Sequence, residues 1–378
     1  MNLRKRIFSA MDRSPMSEQR VDSILLLVTL ILVAVGTVMI YSSSSILAME
    51  RFKDAQYFLK KQIFFVILGI VLMILLTKIS YQKMKELALP AIVLSAVLLI
   101  LLMLPHMGIQ AGGARRWLNL GVASFQVTEF VKIALVLFLA NLLAKNVEDI
   151  KDFKYGVLLP LCVTFFIIGL IMLQPDFGTA VIVALIMMMM LYLTGSRVKH
   201  LSGLVAAAIP IGIYFIMHKS YRMARVTSFL NPWDDPRDSG FQIIQSLLSF
   251  GSGGAFGVGL GDGMQKLFYL PEPHTDFILS IIAEESGFIG VALIILLFAL
   301  FALRGFIIAF KAPDLFGTLL AAGLTMVIAL EAFINIAGVM GLIPLKGLAL
   351  PFVSYGGSAL IMSLIAVGIL LNISSHEA

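Results

Sequence analysis

The chain is 378 residues long, and 60% of its residues are hydrophobic whereas only 13% are charged. An ordinary soluble domain carries ~25% charged residues, so this composition excludes a soluble protein with a single anchor. The net charge of +6 comes from lysines and arginines spread among short polar segments, which indicates a membrane-orientation signal and no nucleic-acid partner. The single cysteine excludes an intramolecular disulfide.

Ten apolar runs have the length of about 20 residues that a membrane span requires. Helices satisfy their own backbone hydrogen bonds in lipid, so the runs predict an all-α polytopic membrane protein with about ten transmembrane helices. The first run is too long for a signal-peptide core and lacks a cleavage site, so it is expected to remain as a span. The predicted spans lie near 22–48, 62–78, 87–105, 126–144, 155–174, 177–194, 200–217, 276–303, 316–340 and 351–372.

The distribution of lysine and arginine predicts the orientation. With the N-terminus inside, fifteen of these residues fall in the inner segments and seven in the short outer segments. This bias follows the positive-inside rule. We therefore expect a multi-pass protein of the cytoplasmic (inner) membrane with both termini cytoplasmic, comprising a tail at 1–21, a membrane domain at 22–372 and a C-terminal tail at 373–378.

The segment 218–275, between spans seven and eight, is too long for a plain connector and is expected outside the cytoplasm. It contains a turn cluster at 231–236, an amphipathic stretch at 241–250 and a glycine-rich stretch that follows. Long loops in compact proteins are usually functional or disordered. The aromatic and glycine content favours an ordered, functional extracytoplasmic cap.

Asp276 stands at the predicted start of span eight, directly after a Pro-Glu-Pro-His-Thr sequence. It can cap the helix or complement its dipole in the first turn. Alternatively it is a general base at the membrane surface, because partial loss of hydration raises a carboxylate pKa and suits proton abstraction near neutral pH. His274 is a candidate base or metal ligand, but no second histidine stands at ligand spacing.

Glu129 and Lys132 are three residues apart in span four, so they share one helix face and can pair. Ion pairs inside spans are expensive and normally face the interior of a bundle. The pair either joins helices or borders a polar cavity. Glu331 and Asn335, one turn apart in span nine, allow the same two interpretations.

Glu284 and Glu285 follow Asp276 by about two helical turns, and they point to different sides of span eight. Such residues either form buried hydrogen bonds between helices or belong to a functional site.

Arg115 and Arg116 lie beside Trp117 in a predicted outer loop. They either anchor at the membrane interface or clamp a phosphate, which guanidinium groups bind in bidentate geometry. Arg222 and Arg225 add outer cations that would attract an anionic headgroup. Asp176 is expected to cap span six.

Several motifs occur in one order along most of the chain. Together they resemble the SEDS family (shape, elongation, division and sporulation), whose members include FtsW and RodA. The motifs are GARRWLNLG with FQVTEFVKIA, QPDFGT, YRMARV, FQIIQSLLSFGSGGAFGVGLGDG, LPEPHTDFI with AEE, and PLKGLALPFVSYGGSALI. The sequence Pro-Leu-Lys-Gly at 344–347 is more similar to the division branch of the family, FtsW, than to the elongation branch.

The resemblance implies a peptidoglycan glycosyltransferase that polymerises lipid II at the outer membrane face during septal cell-wall synthesis. It implies a class B penicillin-binding transpeptidase and other divisome proteins as partners, besides membrane lipid. The family's essential aspartate falls on Asp276, its acid and lysine on Glu129 and Lys132, and its loop arginines on Arg115 and Arg116. Val127-Thr128 replaces the family's usual Pro-Ser, which leaves the start of span four open.

The expected site therefore has Asp276 as catalytic base. Arg115, Arg116, Lys132 or a divalent cation (Mg²⁺ or Mn²⁺) would stabilise the departing diphosphate. Glu129, Arg222, His274 and Glu284 are the remaining candidate substrate-binding residues, and Asp276 could instead hold the cation. Two rival functions stay open. One is a lipid II flippase, which inverted repeats or broken spans would favour, and the sequence shows neither clearly. The other is a non-catalytic divisome scaffold, which would not need Asp276.

Overall fold

The structure is a computed structural model. It describes residues 21–104, 107–111, 114–119, 124–238, 240–266, 270 and 273–376. The predicted cytoplasmic tail up to residue 20, with its basic residues, lies outside the described part of the chain.

All ten predicted spans are helices in the structure. Eight are long and apolar enough to cross a membrane, and α5 and α6 are apolar helices of 16 and 17 residues. The prediction of a multi-pass helical membrane protein is confirmed. The ten helices are α1 (Ser23–Phe52), α2 (Tyr57–Thr77), α3 (Met84–Leu101), α4 (Val127–Lys145), α5 (Leu158–Leu173), α6 (Phe177–Leu193), α7 (Val198–Met217), α10 (Ile278–Lys311), α11 (Leu315–Val339) and α12 (Gly357–Ser374).

Aspartates begin three of these helices, because a carboxylate can accept the N–H bonds that the first helical turn leaves unpaired. Asp22 accepts from the Leu25 N–H of α1 at 2.8 Å. Asp176 accepts from the Thr179 N–H of α6 at 3.1 Å, so its predicted capping role is confirmed. Asp314 does the same for α11.

A small antiparallel sheet lies between α3 and α4, in a segment that the all-helical expectation did not include. It consists of β1 (Gly108–Ala111), β2 (Ala114–Asn119) and β3 (Ser124–Gln126) in the order β1-β2-β3. Trp117 of β2 faces Gln126 of β3, and Arg115 faces Gln110 of β1. The strands are too short to be recognised against the strongly apolar helices beside them, but pairing with one another satisfies their backbone groups.

The segment 218–275 is ordered over its described residues, as expected. It forms α8 (Ser220–Leu230) and α9 (Phe241–Gly253), and the predicted amphipathic stretch is the second of these helices. It lies at the same end of the bundle as the sheet, the α5–α6 turn and the α11–α12 connection. We call this end the site end.

Helix α10 is broken at Gly287, where φ is 66° and ψ is −164°. The glycine-rich loop after α9 fills the break. Phe288 and Ile289 donate N–H bonds to carbonyls of residues 254 and 255, and residues 258 and 259 donate to the carbonyls of Glu284 and Glu285. The sequence showed no clear broken span, whereas the structure contains one at this position, and its interrupted backbone groups find partners within the protein.

Candidate functional site

Asp276 lies in a turn, residues 273–277, just before α10. The N-cap of α10 is Phe277, without a side-chain capping bond, and the first turn contains no acid. Asp276 therefore neither caps the helix nor stands in its first turn. Its partly exposed side chain instead lies against Gly347, with Oδ2 2.5 Å from the position that a Cβ on that glycine would take.

A buried ion-pair group lies between α4 and α11. Lys132, only 2% exposed, donates to Glu129 Oε2 at 2.8 Å and to Glu331 Oε1 of α11. The predicted pairing of Glu129 with Lys132 is confirmed, and Glu331 adds a second carboxylate. An amine held between two carboxylates inside a bundle joins the two helices, because removing the lysine would leave two buried carboxylates without a cation.

A second charged group lies where the α5–α6 turn meets the sheet. Arg116 Nε is 3.3 Å from Asp176 Oδ2, and the aliphatic chain of Lys346 covers Gly178. Lys346 Nζ reaches Thr179 Oγ1 at 3.4 Å. Burial opposes ionisation of Asp176, but the charges of Lys346 and Arg116 and the Thr179 hydrogen bonds outweigh it and hold the pKa below its usual value.

The two groups are electrostatically coupled through Lys346. Burial lowers the pKa of Lys346, and the charges of both groups act on it: Asp176 and Glu331 raise it, whereas Lys132 and Arg116 lower it further. Since Gly347 is the next residue, the Asp276 carboxylate lies beside this charged region. The arrangement places a partly exposed acid against the connection that carries Lys346, which suits proton removal from a hydroxyl at this end of the bundle.

The adjacent arginines of β2 have different environments. Arg115 is exposed, whereas Arg116 is partly buried and contacts Asp176. Successive side chains of a strand point to opposite faces, which explains the difference. The structure therefore does not bring the two guanidinium groups together as one clamp.

Arg222 is buried in α8 rather than presented to solvent. It donates to the Phe215 carbonyl at 2.9 Å and to the Tyr221 hydroxyl at 2.8 Å. Its guanidinium carbon lies 5.1 Å from the centre of the Phe177 ring, directly after Asp176. These contacts fix α8 against the start of α6.

His274 is buried, and its ring packs against Phe58 and Tyr355, with ring centres 4.5 Å and 5.6 Å away. Burial, together with the charge of Arg51, lowers the pKa of His274 to about 4, so the ring is neutral at pH 7. Its Nδ1 atom has no hydrogen-bond partner among the described residues.

Glu284 and Glu285 hold the glycine-rich loop. Glu284 accepts N–H bonds from Met264 at 2.8 Å and from Gln265. Glu285 accepts from Ser42 of α1 and from Lys266, both at 2.7 Å. Of the two interpretations that the sequence left open, buried hydrogen bonding accounts for these contacts.

Across the described residues, no group of three or more histidine, cysteine, aspartate or glutamate side chains is placed to hold a metal. These residues therefore build no complete metal site. Mg²⁺, however, is commonly bound by one or two carboxylates together with substrate phosphates. Asp276 can supply one such ligand, and the remainder would have to come from the substrate.

Sequence reasoning missed two members of the site. By sequence, Lys346 is only one of the seven cations in the short outer segments, and Asp176 only a cap. Their meeting with Arg116 requires the α5–α6 turn, β2 and the α11–α12 connection to converge, and no spacing along the chain signals this. The one signal was that all three segments fall on the same predicted side of the membrane.

Comparisons with known proteins agree with this architecture. The family model of the FtsW/RodA/SpoVE cell cycle proteins matches residues 22–378. A Trichlorobacter lovleyi protein named "Probable peptidoglycan glycosyltransferase FtsW" is 46% identical over 96% of this chain and 95% of its own. Stage V sporulation protein E of Bacillus subtilis is 42% identical over 94% of this chain and 97% of its own.

Two solved structures share the fold. A chain of a peptidoglycan synthase complex superposes with a TM-score of 0.77 at 31% identity, covering 94% of this chain and 97% of that chain. The rod shape determining protein RodA of Thermus thermophilus gives a TM-score of 0.69 at 29% identity, covering 94% and 96%. The chain belongs to the FtsW/RodA/SpoVE family.

Proposed function

We propose that this protein is a peptidoglycan glycosyltransferase that polymerises lipid II into glycan strands at the outer face of the cytoplasmic membrane during cell division. The observation that carries the proposal is the partly exposed Asp276 carboxylate at the site end, which lies against Gly347, the residue after Lys346. The names of the FtsW relatives and the likeness to a peptidoglycan synthase complex support the same activity.

The reaction is a single displacement at an anomeric carbon. The 4-hydroxyl of the acceptor sugar attacks that carbon, and its proton passes to Asp276. The bond between the anomeric carbon and the diphosphate oxygen breaks, and the lipid diphosphate leaves with the bonding electrons. One carboxylate base suffices, because no covalent sugar–enzyme intermediate forms and the configuration inverts.

Lys132, which the sequence offered as a cation for the leaving diphosphate, does not fit that role in the structure. Lys132 is buried and already holds two carboxylates, so it is not available to a diphosphate. Lys346 is the candidate in its place, because it precedes Gly347, which contacts the Asp276 carboxylate. Burial lowers the pKa of Lys346 to about 7, so a diphosphate bound beside it would favour the charged form. Arg115, the exposed member of the β2 pair, can reach a headgroup from solvent. Lys132 instead supports the framework under the site.

A divalent cation would add positive charge at the diphosphate when bound. Asp276 is its candidate protein ligand. The role of this chain's own residues is then to orient the carboxylate and to hold the diphosphate beside Lys346. Mg²⁺ and Mn²⁺ are the candidates.

The polymerase would work with a class B penicillin-binding transpeptidase that crosslinks the new strands, alongside other divisome proteins. This proposal rests on the resemblance to the chain of a peptidoglycan synthase complex. Cytoplasmic termini follow from the lysine and arginine bias and would place the site end outside.

One observation favours the flippase alternative, since broken spans are typical of transporters. At Gly287, however, the glycine-rich loop supplies partners to the interrupted backbone, and Lys266 neutralises Glu285. The backbone groups and the carboxylate at the break are therefore already paired and do not form the ion-binding site that a broken span provides in transporters. Polymerisation remains the better supported function.

The test is to supply the purified protein, with its transpeptidase partner, with lipid II and Mg²⁺ or Mn²⁺ in proteoliposomes. Glycan polymer and movement of lipid II between leaflets are both measured. The proposal predicts polymer. Transfer of lipid II without polymer would support the flippase, and neither activity would support the scaffold.

A further inference from the structure

The turn that carries Asp276 is held through three consecutive backbone carbonyls. Tyr355 donates its N–H to the His274 carbonyl at 2.9 Å. The Ser354 hydroxyl donates to the Thr275 carbonyl at 2.6 Å. Asn335 Nδ2 donates to the Asp276 carbonyl at 2.9 Å. Every residue from 274 to 276 is thus fixed from outside the turn.

The donors come from α11 and from the segment before α12, not from α10. Asn335 uses its amide twice, because Nδ2 also donates to the Leu348 carbonyl at 2.6 Å. It therefore ties the Asp276 turn to the residue that follows Gly347. The Ser354 hydroxyl is held in turn by the Leu350 N–H at 2.8 Å, which orients its own hydrogen toward Thr275.

Both side chains are almost completely buried, Asn335 at 3% and Ser354 at 4% exposed. Buried hydrogen bonds of this kind are expensive to leave unmade, so they fix the geometry of the groups they join. The backbone between them is itself constrained, because Phe352 has φ of 65°, which a bulky side chain rarely adopts. Such conformations persist where the surrounding structure enforces them, and they cluster at functional sites.

We infer that Asn335 and Ser354 are positioning residues for the reaction: by holding the carbonyls of Asp276 and Thr275, they set the carboxylate over Gly347, where it meets the acceptor hydroxyl. The inference rests on the proposed function of Asp276. Neither side chain needs to touch substrate. Their effect falls on the reaction step rather than on binding of lipid II, because only the placement of the base changes.

The opposite end of the bundle contains a matched pair of controls. Asn372 of α12 is 2% exposed and joins two backbone groups, accepting from the Tyr81 N–H at 2.7 Å and donating to the Thr77 carbonyl at 2.8 Å. Ser374 is 4% exposed, accepting from the Asp22 N–H at 3.0 Å and donating to the Leu371 carbonyl at 2.8 Å. Ser374 repeats the hydrogen bonding of Ser354, and Asn372, like Asn335, is a buried amide that joins two backbone groups; both controls lie far from Asp276.

The experiment compares Asn335→Leu with Asn372→Leu and Ser354→Ala with Ser374→Ala, using full-length protein with its partner. Thermal unfolding, lipid II binding and polymerisation rate at saturating lipid II are measured for each. We expect both members of a pair to lower Tm similarly. The site-end variants should also lose between about 10- and 100-fold in rate with binding changed less than about twofold, the scale expected for a misplaced catalytic group.

Rates that fall equally within each pair, in proportion to the loss of Tm, would overturn the positioning role. Weakened binding with an unchanged saturating rate would overturn it as well. Asp276→Asn is included to separate the two claims: if it polymerises normally, the assignment of Asp276 as base fails and the positioning role with it, whereas absence of polymer from the wild type would contradict the proposed function itself. If Asn335→Leu does not fold, the smaller Ser354→Ala change decides the outcome by the same measurements.

Discussion

The carboxylate of Asp276 rests on the backbone of Gly347, and only a glycine leaves room for it. A Cβ at position 347 would lie 2.5 Å from Asp276 Oδ2, closer than such atoms approach in proteins. Gly347→Ala should therefore displace the carboxylate and reduce polymerisation by about 10- to 100-fold. Gly338→Ala is the control, because its added Cβ would meet its nearest neighbour at 3.6 Å, an ordinary contact. Equal activity of the two variants would contradict this packing.

Lys132 is expected to matter more than an exposed lysine of the opposite end. Lys132→Ala leaves Glu129 and Glu331 facing each other without a cation, which should destabilise the protein by about 3–5 kcal/mol and impair polymerisation. Lys199→Ala, at an exposed position, should change neither unfolding nor activity. Comparable effects in both would argue against a buried charged group at α4.

Replacing the whole ion-pair group tests whether unpaired carboxylates cause the loss of stability in Lys132→Ala. Lys132→Met combined with Glu129→Gln and Glu331→Gln removes all three charges together, so no buried charge is left unpaired. This triple variant should recover much of the stability that Lys132→Ala loses. Thermal unfolding no better than that of Lys132→Ala would show that the lost stability does not arise from unpaired carboxylates.

The buried His274 predicts a pH dependence of stability. Its folded-state pKa of about 4 lies below the unfolded value of 6.5, so the unfolded chain binds the extra proton between these values. Stability should fall as pH decreases from 6.5 toward 4, by roughly 3 kcal/mol over the full window. Thermal unfolding from pH 7 to 4.5 should show a shallower slope for His274→Gln than for wild type. Equal slopes for His274→Gln and wild type would contradict the burial argument.

The break in α10 requires a glycine at position 287. Its φ of 66° disfavours any L side chain, and a Cβ there would overlap the backbone of Gly257. Gly287→Ala should lower stability by at least about 1–2 kcal/mol from the backbone conformation alone. Gly169→Ala, where no atom lies within 4 Å of the added Cβ, should be neutral or stabilising. Thermal unfolding of the two variants in detergent makes the comparison, and a stable Gly287→Ala would show that the loop does not enforce the break.

The sequence predicted what depends on local chemistry. Ten spans follow from apolar runs, the Asp176 cap from its position before Phe177, and the Glu129–Lys132 pair from spacing on one helix. What it could not predict depends on distant segments meeting. Lys346 joins the site only because the α11–α12 connection folds onto the α5–α6 turn. Lys132 is not available to a diphosphate, its expected ligand, because Glu331 of another helix pairs with it. The sequence did not reveal the helix break at Gly287, because glycine is also common where membrane helices pack against each other.

If the carboxylate of Asp276 performs the chemistry, Asp276→Asn and Asp262→Asn should differ in polymerisation. The second aspartate lies exposed on the glycine-rich loop, so it controls for the same substitution at the same end of the bundle. Glycan polymer made from lipid II by the purified protein with its partner is the measurement, with unfolding temperature and partner binding checked for each variant. We expect Asp276→Asn to fold and bind its partner but to make no polymer, and Asp262→Asn to make polymer normally. Normal polymer from Asp276→Asn would contradict this role of the carboxylate.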